Sequence, residues 1–140
     1  MKKATKKAEP KPYRFVIDEP VYMSSCTFFV GYPYALIERE IKAKATPESI
    51  KDFTWYSGVN GCAFCFNLKD SGASCFVIYL KNYSTWTRHK AILGHELVHL
   101  IFQIFNNKGV PVRQGNDEAF AYLFEYYFNA VLTELAKKYF

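Results

Sequence analysis

The sequence predicts an α+β domain in which a small antiparallel or mixed sheet packs on two long helices. Short runs rich in β-branched and aromatic residues fill the first eighty positions, and helical periodicity takes over after position 84. The length of 140 residues, half of them hydrophobic, suffices for one core, so residues 13–140 are expected to form a single domain.

The elements follow in order. Tyr13-Arg14-Phe15-Val16-Ile17 and Cys26-Thr27-Phe28-Phe29-Val30 read as strands. From Tyr34 to Lys44, Leu36, Ile37 and Ile41 fall at helical spacing. Thr46-Pro47-Glu48-Ser49 has a capping residue followed by Pro at the first helical position, which starts a short helix toward Phe53. Gly61 to Leu68 and Ser74 to Leu80 flank Lys69-Asp70-Ser71-Gly72-Ala73, the pattern of a β-hairpin. A mostly apolar helix is then capped by Ser84 or Thr85 and stops near Asn106-Asn107-Lys108-Gly109. The last helix opens at Asn116 or Asp117 and runs toward Lys137-Lys138. No internal repeat is visible.

Charge is unevenly distributed. The formal +5 is carried wholly by residues 1–14, where six Lys and Arg face Glu9 alone, and the rest of the chain is neutral. Residues 1–12, with Pro10 and Pro12, are expected to be a disordered, solubilising basic tail. A body without net positive charge argues against nucleic acid as a partner except through that tail. No apolar run approaches the ~20 residues of a membrane helix, and the Lys-rich start lacks an apolar signal core. The expectation is a soluble, unexported, cytoplasmic protein without membrane association, whose oligomeric state the sequence leaves open. The aromatic content of 19% is read as a core of large side chains.

Within the first long helix, His95-Glu96-Leu97-Val98-His99 has the H-E-x-x-H spacing. At about 100° per residue, positions 95 and 99 lie roughly 40° apart on one face and one turn apart along it, so both imidazoles can reach one metal ion. Glu96 borders that face about 100° away and suits a general base acting on a metal-bound water. The bland alternative is a pair of core histidines bonded to side chains or carbonyls.

A zinc site needs at least three protein ligands. The extended motif of the metzincins would require Gly at 102 and His at 105, where this chain has Phe102 and Phe105. His89, the third histidine of the chain, lies about 600° of helix from His95 and on another face. Downstream, Glu118 falls in the first turn of the last helix with Tyr122 and Glu125 on its stripe. Glu118 is therefore the expected third ligand, with Asp117 and Glu125 as fallbacks. A simple interaction with the helix dipole is its alternative role.

With His95, Glu96, His99 and Glu118 in view, the chain resembles the gluzincin metallopeptidases, in which H-E-x-x-H is completed by a Glu on a following helix. Asp117-Glu118-Ala119-Phe120-Ala121-Tyr122-Leu123 also resembles a segment of small zincin peptidases of phages and their bacterial hosts. The resemblance covers roughly residues 74–128. It implies a Zn²⁺-dependent peptidase, acting on a peptide or protein in the cytoplasm of a bacterium or phage-infected host. It also implies an edge strand before the active-site helix that holds substrate extended, a place that Ser74 to Leu80 fills. Larger gluzincins draw an oxyanion donor from a further subdomain, and no counterpart is evident here. Tyr122 is the expected donor, one turn beyond Glu118, with Tyr79, Tyr83 and Tyr126 as alternatives.

Cys62-x-x-Cys65 has zinc-knuckle spacing, with Cys26 and Cys75 elsewhere. Positions 62 and 65 of an extended strand point to opposite faces, so free core thiols are expected. A competing reading keeps the fold and drops the chemistry, making the chain a non-catalytic binding or regulatory protein of phage or host.

Overall fold

The computed structural model describes residues 11–84 and 87–139, and the expected tail and the Thr85 cap fall largely or wholly outside them. Four strands, β1 (Tyr13–Glu19), β2 (Ser24–Val30), β3 (Gly61–Asn67) and β4 (Ser74–Leu80), form one sheet in the order β1-β2-β4-β3. The β1/β2 and β3/β4 pairs are antiparallel, and β2/β4 is parallel. The sheet is thus mixed, and the α+β expectation holds at that level. The helices are α1 (Tyr34–Lys44), α2 (Pro47–Ile50), α3 (Thr87–Lys108) and α4 (Asp117–Tyr139).

Alternation builds the sheet. In β1, Phe15, Ile17 and Glu19 point inward while Arg14, Val16 and Asp18 are exposed. β4 lies between β2 and β3 and is covered on both faces, so Phe76 through Leu80 are all buried. Cys26, Phe28, Phe76 and Ile78 meet Leu97, Leu100, Ile104, Leu123 and Tyr127 of α3 and α4 on one face. On the other, Phe29, Phe64, Phe66 and Val77 meet Ile37 and Ile41 of α1.

One expectation is corrected here. The strand 74–80 is not an edge, because β4 pairs with β2 on one side and with β3 on the other. The edge strand nearest α3 is β3.

The two long helices are joined by a well-defined stop. Gly109 adopts φ +68°, the Val110 N–H donates to Phe105 O at 2.9 Å, and the Gly109 N–H donates to Asn106 O at 3.4 Å, closing α3 with a Schellman motif. A short 3₁₀ turn, Gln114–Asn116, precedes α4, and Asp117 Oδ1 accepts the Glu118 N–H at 3.0 Å. No helix among the described residues is long and apolar enough to cross a membrane.

Candidate active site

The core-facing stripe of α3, including Leu93, Leu97, Leu100 and Ile104, is fully buried, which turns positions 95 and 99 outward. His95 and His99 are accordingly exposed, and their Nε2 atoms approach to 3.1 Å with the rings edge to face. Two nitrogens bound to one tetrahedral zinc at about 2.0–2.1 Å would lie roughly 3.3 Å apart, so the imidazole pair has the spacing of two ligands to a single ion. Each Nε2 offers a lone pair to a metal only when its ring carries the proton on Nδ1.

Glu96 has the opposite environment. It is only 6% exposed, and burial raises its carboxyl above the ordinary carboxylate range, with His95 pulling the other way. Gly61, at the start of β3, makes room for it: a Cβ there would stand 3.0 Å from Glu96 Cγ, 3.1 Å from Ile92 Cγ2 and 3.3 Å from Glu96 Oε1. The edge strand and the carboxylate are therefore in direct contact.

The outward backbone of β3 can be read from its partners. Gln103 Nε2 donates to Ala63 O at 3.2 Å, the Thr46 N–H donates to Asn67 O at 2.8 Å, and the Asn67 N–H donates to Ser49 Oγ at 3.1 Å. Alternate residues share that direction, so Gly61 and Cys65 also present their backbone groups away from β4. The α1–α2 turn closes the Asn67 end, and Gln103 clamps the middle. Gly61 is left beside Glu96.

The other sequence-predicted residues lie elsewhere. On α4, Phe120 packs on Phe102 and Phe105, and Phe124 Cζ reaches to 3.9 Å from where a Cβ on Gly94 would be, so this stripe faces α3. Glu118 is about 160° around the helix from Phe120 and is exposed. Tyr122, on the Glu118 stripe, donates to Glu19 Oε1 at 3.0 Å, and Tyr126 donates to Asp18 O at 2.7 Å. That side of α4 is turned to the end of β1. Among the described residues no group of three or more His, Cys, Asp or Glu is assembled that could hold a metal ion. The imidazoles fit zinc as a pair, and the structure does not bring a third ligand to them.

Glu19 was not singled out from the sequence. Only 1% exposed, it accepts from Val21 N–H at 2.6 Å, Tyr22 N–H at 3.0 Å, Ser24 Oγ at 3.1 Å and the Tyr122 hydroxyl, and Ser24 Oγ in turn bonds Tyr127 Oη at 2.8 Å. This network ties the β1–β2 turn to α4. An acidic residue at an inward position of an alternating strand was its only sequence signal.

The cysteines are free, with Cys65 packed toward α3 and Cys62 toward the α1 side. Burial pushes the Cys62 thiol up to about 11 and raises Cys26, Cys65 and Cys75 as well, which keeps them protonated near neutrality. His89 Nδ1 lies 2.8 Å from Ser84 Oγ. Comparison with protein-family models, with curated proteins and with solved structures gives no match to this chain.

Proposed function

We propose that the chain is a zinc-dependent metallopeptidase in which His95 and His99 bind the metal and Glu96 is the general base. The observation that carries this reading is the contrast within one turn of α3. Two exposed imidazoles converge to 3.1 Å, while the intervening carboxylate is buried against an edge strand. Structural histidines have no need of that contrast.

Bound zinc would supply a Lewis acid and would lower the pKa of water to about 7. Glu96 would take the proton of the attacking water and return it to the leaving amine, and its burial raises its proton affinity in the direction this task favours. Gly61 and the Ala63 N–H would align a peptide by strand addition, holding it extended next to Glu96. Glu118 is proposed as the third ligand. That role requires the first turn of α4 to rotate toward α3 from the position described above.

Elemental analysis of the purified protein, alongside His99→Ala and Glu118→Ala, tests the site. One zinc per chain, lost in both variants, supports the three-ligand assignment, and loss in His99→Ala alone moves the third ligand away from Glu118. Glu96→Gln is expected to keep zinc and lose cleavage of a peptide mixture. Cleavage at the parental rate by that variant removes Glu96 as base, and its full retention of biological effect favours the non-catalytic binding reading.

A further inference from the structure

The open cleft of about 480 Å³ that holds His95 and Glu96 extends along α3 past Ile92 to Arg88, with Asn60 and Gly61 on its opposite wall. Arg88 also lines the adjoining hollow of about 170 Å³ together with Lys81, Asn82 and His89. Among the described residues Glu96 is the one carboxylate lining either space, so this end of the cleft is basic apart from the proposed catalytic group. Arg88 is exposed and makes no ion pair among the described residues.

Arg88 and His95 are seven residues apart on one helix, about 20° from the same stripe and roughly 10.5 Å along the axis. An extended peptide advances about 3.3 Å per residue, so three residues span that distance. The direction also follows. Gly61 meets Ile92 and Glu96 while Ala63 meets Gln103, so β3 runs in the same sense as α3. A peptide added antiparallel to β3 therefore carries its C-terminal part toward Arg88.

Resting on the peptidase reading, we infer that Arg88 is a specificity residue that selects substrates bearing a carboxylate about three residues to the C-terminal side of the cleaved bond. A guanidinium donates two parallel N–H bonds to a carboxylate, and both an Asp or Glu side chain and a free chain terminus offer that group. Neutral or basic residues at the same place would leave the basic end of the cleft unpaired.

The test separates binding from turnover. Calorimetric titration of full-length Glu96→Gln uses hexapeptides of one sequence with Glu or Gln at the third position after the intended bond, each as free acid and as C-terminal amide, and a tripeptide-tailed series places the terminus itself at that position. The expected result is at least tenfold tighter binding of the carboxylate forms, abolished by Arg88→Ala and partly kept by Arg88→Lys. The Glu series reports a side-chain carboxylate, and the tripeptide-tailed series reports a terminal one. Equal binding of charged and neutral forms, absence of binding by the carboxylate peptides, or a preference untouched by Arg88→Ala overturns the inference. Digestion of a peptide mixture by the wild-type protein is the companion readout. Glu96-dependent cleavage without a carboxylate preference retires Arg88 and leaves the peptidase standing. Carboxylate-selective binding without Glu96-dependent cleavage retires the peptidase and leaves Arg88 as an anion-binding residue.

Discussion

Replacing Gly61 by alanine tests the contact between the edge strand and Glu96. The added Cβ would sit 3.0 Å from Glu96 Cγ and 3.1 Å from Ile92 Cγ2, so these neighbours must yield by a few tenths of an ångström. Overpacking of this kind costs about 1–3 kcal/mol. Alanine regains roughly 0.5–1 kcal/mol through the lower entropy of its unfolded chain in a strand position. The net expectation is a loss of about 0–2.5 kcal/mol, read as a lower urea midpoint with unchanged slope. A misplacement of 1 Å at a reacting centre costs about a hundredfold in rate, so displacing Glu96 by a fraction of that predicts a drop in peptide cleavage of about three- to tenfold. Gly61→Val should exceed both effects. A Gly61→Ala protein that is more stable by the full entropic gain, with unaltered cleavage, would show that β3 does not press on Glu96 and would refute the argument.

Three further outcomes follow from the same geometry. Because burial raises the Glu96 pKa in the folded state, its ionised form is a destabilising burden that is absent below the unfolded carboxylate pKa and grows as pH rises through the folded one. Glu96→Gln should therefore be more stable than the parent at pH 7, with the difference vanishing on acidification below about 4, and a constant difference across a pH series of thermal melts contradicts this. Glu19→Ala removes the acceptor of the turn N–H groups and of the Tyr122 hydroxyl, and leaves the buried Ser24 hydroxyl with Tyr127 alone, so it should cost about 3–4 kcal/mol in denaturant unfolding. A cost under 1 kcal/mol would mean that water replaces the carboxylate. Tyr122→Phe should lower stability while leaving the rate of peptide cleavage unaltered, since its hydroxyl is engaged by Glu19, and a rate loss without destabilisation would return Tyr122 to the oxyanion role.

Local pattern determined much of this molecule. The period of Tyr34 to Lys44, the glycine stop of α3, the hairpin of β3 and β4, and the placing of His95 and His99 on one helical stripe all follow from spacings of two to four residues. The opposed faces of Cys62 and Cys65 follow from the strand alone. Contacts between distant segments were decided only by the tertiary fold. The family resemblance implied β4 as the edge beside α3, but its parallel pairing with β2 made it central and gave the edge to β3. The rotation of α4 about its axis was set by Phe120 and Phe124 packing on α3, which carries the Glu118 and Tyr122 stripe toward Glu19. Helical spacing fixes which residues share a stripe, but the direction in which that stripe points depends on burying apolar area against a partner helix and sheet. That choice is made by the whole core, and no window of sequence contains it.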